Sequence, residues 1–182
     1  MKNAIGFIEY KSIPIGIEST DQMLKSGSVE LVTATPICPG KYITIISGDV
    51  GAVRSSVKNG EVVGGIFVVE SHVIPNIHPA VFPALMANTE VDEVQSIGII
   101  ETINAISAIV VADTAVKAAN IYLVDVRMAR GLGGKAFVIL TGEVSPVKQA
   151  VKAAENAMRE YGVITSTSVI ASPHEDVRKL IL

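Results

Sequence analysis

The sequence contains a single cysteine, Cys38, in the stretch Ile37-Cys38-Pro39-Gly40-Lys41 between two strand-like runs. A thiolate is a good ligand for zinc and for iron–sulfur clusters, but such sites need three or four ligands. One chain therefore supplies only one ligand. A lone cysteine is more often a small buried apolar residue, and both interpretations stay open for this loop.

Symmetry would change the chemistry of this loop. If it lined the rotation axis of a homotrimer, three equivalent Cys38 thiolates would converge and could hold an iron–sulfur cubane with one iron left to an outside ligand. Pro39 would stiffen the loop because its ring fixes φ, and nearby backbone N–H groups could donate to the sulfurs. The candidate metal ligand is Cys38, and the candidate cofactor-binding residues are Cys38, Pro39 and Gly40.

The chain repeats itself, and the second copy lacks the cysteine. A constant register relates the halves, which predicts two copies of one domain joined head to tail. We place these domains at residues 1–90 and 94–182, with the boundary in the polar stretch that follows residue 87. The matching stretches are Ile5-Gly6-Phe7-Ile8-Glu9 with Ile97-Gly98-Ile99-Ile100-Glu101, 21–25 with 113–117, and 40–50 with 134–144.

The repeat also separates structural residues from functional ones, because a residue present in both halves is most simply explained by the shared fold. This assigns structural roles to three pairs: Lys41 with Lys135, Glu9 with Glu101, and His78 with His174. The third histidine, His72, is expected without a partner in a strand. The copies differ most in the loop, where Cys38-Pro39 faces Ala129-Arg130-Gly131-Leu132-Gly133-Gly134.

The glycine-rich loop of the second copy resembles nucleotide-binding motifs only superficially. Gly131-x-Gly133-x-x-Ala136 runs into a β-like stretch rather than a helix, as a dinucleotide fingerprint would require. A Walker-type motif fails too, since Ala136 rather than Ser or Thr follows Lys135. We interpret the loop as a tight glycine turn.

The pattern of apolar residues predicts the order β-α-β-β-α-β in each half, an α+β fold of ferredoxin-like topology. A short helix near 79–87 and an amphipathic tail at 174–182 follow the two halves. The first half has predicted strands at 4–10, 29–36, 41–48 and 65–73 and helices at 14–27 and 49–59, the latter stopped by Asn59-Gly60. The second has strands at 96–102, 121–129, 135–141 and 163–170 and helices at 104–119 and 144–161.

The composition favours an assembly in the cytosol. Of the 182 residues 49% are apolar and 18% charged, against an average of about 25% charged, and halves of roughly ninety residues need partners to bury enough surface. The net charge is −3 and the sequence has no run of basic residues, so it does not predict a nucleic-acid-binding surface. The apolar run at 105–112 is too short to span a membrane, and a single cysteine indicates a reducing compartment.

Three motifs make the chain resemble the bacterial microcompartment shell-protein family. They are Ala4-Ile5-Gly6-Phe7-Ile8-Glu9, Ala112-Asp113-Thr114-Ala115-Val116-Lys117-Ala118-Ala119-Asn120-Ile121 and Val169-Ile170-Ala171-Ser172-Pro173-His174. The Ile-Cys-Pro-Gly-Lys loop, with Asn76-Ile77-His78-Pro79 closing the first copy, is similar to the tandem-domain, iron–sulfur members from propanediol-utilisation compartments. Two departures stand out: the family's arginine used in contacts between tiles is Asn76 in the first half and Ser172 in the second, and Ser26-Gly27-Ser28 stands where the family prefers Ala-Ala-Asn.

The resemblance implies a non-enzymatic structural tile in a cytoplasmic microcompartment shell. Tandem domains would form a homotrimer that mimics a hexagon, a pseudohexamer, packed among other shell proteins. One [4Fe-4S] cluster per trimer, held by Cys38 of each chain, would pass electrons across the shell or be delivered to an encapsulated redox enzyme. Lys25 and Lys117 match the lysine at the tile edge.

Two other functions remain open. One is a plain tile with a gated central pore for small metabolites and an unligated Cys38. The other is a ferredoxin-like enzyme or regulator, which would need an acid, base or ligand set that differs between the copies. The candidate pore-lining residues are Ile37, Arg130, Gly131, Leu132 and Gly133.

Overall fold

The computed structural model describes residues 4–129 and 131–181. The chain divides into two compact units, Met1–Ile77 and His78–Leu182. Each unit contains one four-stranded antiparallel sheet with two long helices packed together beside it. The predicted α+β fold with ferredoxin-like order is therefore confirmed.

The helices and strands follow one another in the predicted order. The first unit contains β1 (Ala4–Tyr10), α1 (Ile13–Lys25), β2 (Val29–Ile37), β3 (Lys41–Gly48), α2 (Val50–Gly64) and β4 (Val68–Pro75). The second contains α3 (Val81–Leu85), β5 (Ser96–Thr102), α4 (Ala105–Ala118), β6 (Tyr122–Met128), β7 (Ala136–Gly142), α5 (Val144–Met158), β8 (Ile164–Ile170) and α6 (Glu175–Ile181). The strand orders are β2-β3-β1-β4 and β6-β7-β5-β8.

The two sheets share even their irregularities. The register of β1 with β4 shifts between Glu9 and Tyr10, and that of β5 with β8 shifts between Glu101 and Thr102. The edge strands β2 and β6 each shift by one residue against their neighbours, between Leu31/Thr33 and Leu123/Asp125. Shared bulges at equivalent positions confirm that the halves are copies of one domain.

The core of the first unit lies between its sheet and its helices. Alternate residues of a strand point to the same face, so Ala4, Ile8 and Tyr10 of β1 all pack in one buried cluster with side chains of α1 and α2. Gly6, on the same face, has no side chain because α2 comes too close. A Cβ there would lie 2.6 Å from Val53 Cγ1 and Val57 Cγ2.

Close packing also explains why helix α2 is longer than the sequence predicts. The predicted stop at Asn59-Gly60 is wrong, since the helix continues to Gly64. A Cβ on Gly60 would lie 2.7 Å from Ile8 Cδ1 and from Met23 Sδ. Gly60 therefore lies inside helix α2, at the point where β1 and α1 pack closely against it. Because the helix is longer, β4 begins later than predicted, at Val68.

A buried hydrogen-bond chain links β1 to both helices of the first unit. Ser19 Oγ donates to the carbonyl of Gly60 at 2.9 Å, so the Tyr10 hydroxyl donates to Ser19 Oγ, 2.5 Å away. Burial raises the pKa of Tyr10 to about 12. The phenol is therefore neutral across the physiological range.

The short helix α3 packs on β6 and α4. The sequence assigned residues 79–87 to the end of the first domain, but their packing places them in the second unit. Among the described residues, no helix has the length and apolar content needed to cross a membrane.

We expect Gly6→Ala to lower the free energy of unfolding by about 1–3 kcal/mol, because the added methyl group overpacks the contact with Val53 and Val57. Gly51→Ala is the matched control. Nothing lies within 4 Å of a Cβ at Gly51, in α2, and alanine there should stabilise the helix by up to about 1 kcal/mol. Chemical denaturation measures both changes, and equal stability of the two variants would contradict this packing.

We expect Tyr10→Phe to cost about 1 kcal/mol through loss of its hydrogen bond to Ser19. The folded pKa of about 12 exceeds the ordinary 10.0, so the phenol's contribution is complete below pH 10 and is lost as the pH rises toward 12. Tyr10→Phe should therefore flatten the fall in stability above pH 10, measured by denaturation at several pH values. The exposed Tyr161→Phe is the control and should change neither quantity.

Candidate functional site

The cysteine lies at the tip of the hairpin that joins β2 and β3. Ile37 and Lys41 pair across the hairpin, which leaves Cys38, Pro39 and Gly40 as a three-residue loop. Gly40 has a φ of 68°, a left-handed conformation that glycine adopts without strain. The peptide bond between Cys38 and Pro39 is cis.

The tip of the loop is open to solvent at Pro39 and Gly40. Cys38 is a free, half-buried cysteine, Pro39 and Gly40 are exposed, and no atom lies within 4 Å of a Cβ placed on Gly40. Within residues 4–129 and 131–181 no group of three or more His, Cys, Asp or Glu side chains could hold a metal ion. Cys38 is therefore a single candidate ligand among the described residues, and a metal site there would need ligands from other chains.

An ion pair fixes the base of the loop. Lys41 Nζ lies 2.6 Å from Oε1 of Glu9, whose side chain is buried on the neighbouring strand β1. Lys135 and Glu101 form the same pair at 2.9 Å. A hydrogen bond from Thr165, together with Lys135, lowers the pKa of Glu101. The same ion pair in both units agrees with the prediction that these four residues have structural roles.

The equivalent loop of the second unit is a glycine turn. Lys135 N–H donates to the Leu132 carbonyl at 3.1 Å, and Gly131, Gly133 and Gly134 all have positive φ. The chain then enters strand β7 rather than a helix. This confirms the interpretation as a tight turn and excludes a dinucleotide fingerprint.

The candidate pore-lining residues occupy both loops. In the isolated chain Ile37 is buried, Leu132 is half-buried, and Gly131 and Gly133 are exposed. Arg130 lies outside the described residues. Their position on a pore remains a prediction.

The candidate edge lysines each pair with an aspartate one helical turn earlier. Lys25 Nζ lies 2.5 Å from Asp21 Oδ2, and Lys117 Nζ lies 2.6 Å from Asp113 Oδ2. Asp113 also accepts the backbone N–H of His78 at 2.8 Å. Both lysines sit in the last turn of their helices, where a cation is favourable, and their role at a tile edge remains a prediction.

Two of the three histidines start helices, as predicted. Nδ1 of His78 accepts the N–H of Ala80, and Nδ1 of His174 accepts the N–H of Asp176. The third histidine, His72, lies in a strand, β4, as predicted. Its ring stacks on Phe7 with 5.8 Å between centroids, and burial lowers its pKa.

Sequence reasoning missed an ion pair between a buried aspartate and an exposed arginine on the strand that leads to the glycine turn. Asp125 Oδ2 lies 2.7 Å from Arg127, whose guanidinium stands 5.5 Å from the centre of the Phe137 ring. Burial raises the pKa of Asp125, and Arg127 opposes this shift. The available signal was two opposite charges at i and i+2, on one face of an otherwise apolar strand.

A protein-family profile described as the BMC domain matches residues 4–77 and 96–173. These two stretches include all eight strands of the two sheets. The match therefore covers most of the chain and falls once in each half.

Three known proteins are similar over most of the chain. The bacterial microcompartment shell protein PduT of Citrobacter freundii is 44% identical over 177 residues, 97% of this chain and 96% of that protein. A crystal structure of a microcompartment protein from Desulfitobacterium hafniense DCB has a TM-score of 0.94 and 43% identity, over 98% of this chain and 99% of that one. A fused permuted hexameric shell protein from the RMM microcompartment has a TM-score of 0.63 and 25% identity, over 86% and 81%. This chain belongs to the bacterial microcompartment shell proteins and carries two BMC domains in tandem.

Proposed function

We propose that this shell protein forms a homotrimeric, pseudohexameric tile and binds one [4Fe-4S] cluster on its threefold axis through Cys38 of each chain. The cluster would carry electrons across the shell or be delivered to an encapsulated redox enzyme. The tile itself is structural and packs laterally against other shell proteins, with Lys25 and Lys117 at its edges.

The difference between two equivalent loops carries this proposal. Cys38 is half-buried in a hairpin loop whose Pro39 and Gly40 are exposed, whereas the same position in the second unit is a glycine turn. A cysteine needed only for packing would be expected in a core, where an unligated thiol is normally found. A thiol in a surface loop of only one copy favours a ligand role.

The presence of two BMC domains in each chain supports a trimer. Three chains supply six BMC domains and three Cys38 thiolates, and the similar shell protein of the RMM microcompartment is described as hexameric. Three thiolates suffice for a cubane if an outside ligand completes the fourth iron. Such a cluster supplies one-electron chemistry, while Cys38 would bind it and the rigid hairpin would orient it.

A gated pore with an unligated Cys38 is the second candidate function. The observation that favours it is the glycine turn, because Gly131 and Gly133 are exposed and a Cβ on either would contact nothing within 4 Å. A loop so free of side chains could open or narrow a central passage for small metabolites.

We expect anaerobically purified protein to contain about four irons and four acid-labile sulfides per three chains, with a broad absorption near about 400 nm. Native mass, iron and sulfide should be measured on one sample. Trimers without iron, even after anaerobic reconstitution, would exclude the cluster and favour the pore.

We expect Cys38→Ser to lose the iron and the absorption while keeping the native mass of the trimer. The matched control is Cys38→Ser/Ser28→Cys, which moves the thiol to an exposed residue at the other end of β2. This variant should also lack iron, because its thiols would not converge. Iron retained by either variant would show that Cys38 is not the ligand.

A further inference from the structure

The segment that follows the last strand has the same pattern in both units. His78 stands between β4 and α3, and His174 between β8 and α6. The carbonyl of each histidine accepts the N–H three residues later, from Val81 or Val177, and each Nδ1 accepts the N–H two residues later. The two segments therefore correspond residue by residue.

The first of these segments is docked within the second unit. Helix α3 packs on β6 and α4, with Val81 and Ala84 fully buried. The N–H of His78 donates to Oδ1 of Asp113 on α4 at 2.8 Å. A helix this short is not stable alone, so the buried apolar pair and this hydrogen bond hold it in place.

The second segment has no such support. None of residues 175–181 in α6 is buried. Val177 and Leu180 correspond to the buried Val81 and Ala84, yet they are 38% and 83% exposed. The two apolar side chains of α6 are therefore exposed, whereas those of α3 are buried against a neighbouring surface.

A matching bare surface exists on the first unit. Leu123, which lines a small cavity together with Pro83, is 3% exposed, whereas its counterpart Leu31 on β2 is 47% exposed. Ile109 of α4 is fully buried, whereas its counterpart Ile17 of α1 is 54% exposed. The α1–β2 face of the first unit therefore corresponds to the apolar face that α3 covers in the second unit. No helix of the described residues covers it.

The polar anchor of the docked helix is repeated as well. Asp113 accepts the N–H of His78 and is buried beneath the segment. The equivalent carboxylate, Asp21, lies exposed at the same place on α1, paired with Lys25. It stands where it could accept the N–H of His174.

Charge complementarity supports α6, whose Lys179 pairs with Glu175 in the isolated chain, as the occupant of this face. In the second unit Pro83 and Tyr122, both uncharged, line the same cavity. Their counterparts are Lys179 on α6 and Glu30 on β2, which have opposite charges. If α6 docks as α3 does, the ammonium group of Lys179 comes beside the carboxylate of Glu30.

We infer that α6 of one chain docks on the α1–β2 face of the first unit of a second copy of this chain. Val177 and Leu180 cover Ile17 and Leu31, and His174 binds Asp21. The inference rests on the proposed trimer and names the segment that joins its chains. A contact from the tail of one chain to the head of the next closes a ring when it is repeated.

The first test removes the apolar pair with Val177→Asp/Leu180→Asp. Sedimentation across a dilution series should show that the trimer dissociates at a roughly 100-fold higher concentration than the wild-type trimer. The control is Val62→Asp, which places the same charge on an exposed apolar residue of α2 whose counterpart is the polar Asn156. This control should leave dissociation unchanged, and circular dichroism should show that both variants are folded.

The second test exchanges charges. Lys179→Glu and Glu30→Lys should each weaken the trimer by roughly 5-fold or more, and the combined variant should recover most of the loss. Recovery supports the docking because neither single change repairs the other unless the two residues meet.

The outcomes separate this inference from the proposed function. Wild-type protein that stays monomeric at every concentration would overturn the trimer and the docking together. A stable wild-type trimer that Val177→Asp/Leu180→Asp leaves unchanged would overturn the docking alone, and cluster binding could still be measured on that trimer.

Discussion

The register between β1 and β3 determines where everything else in the first unit lies. Lys41 and the buried Glu9 meet at 2.6 Å only in this register. A slip of one residue would turn Lys41 to the other face of the sheet and leave a buried carboxylate without its counterion, which costs several kcal/mol (about 3–5). The three-residue loop that carries Cys38 ends directly before Lys41, so the ion pair also fixes the thiol relative to the sheet.

The same constraint is looser in the second unit. Glu101 and Lys135 are more exposed than Glu9 and Lys41, and the loop before Lys135 is longer and rich in glycine. In the first unit the loop therefore lies next to a largely buried ion pair, whereas in the second unit the glycine turn lies next to a more exposed one. This contrast agrees with the ligand role that we propose for the first loop.

The internal repeat made the fold and the paired residues predictable, because a second copy shows which positions the fold requires. Local signals were less reliable where packing overrides them. Gly60 predicts the end of a helix, but the contacts of α2 with Ile8 and Met23 require a glycine inside it. The stacking of His72 on Phe7 depends on the register of β4, which a single strand does not reveal. The proposed cluster would join residues of different chains. The sequence of one chain therefore shows only one ligand, and the others follow only if the assembly is symmetric.

The presence of both copies in one polypeptide has a genetic consequence. Any assembly of this chain contains the cysteine loop and the glycine loop in equal numbers, without two genes being expressed in balance. In a ring built from one single-domain gene product, every substitution appears at every position. Here a mutation changes only one of the two domains of each chain, so selection can alter one loop and leave the other unchanged.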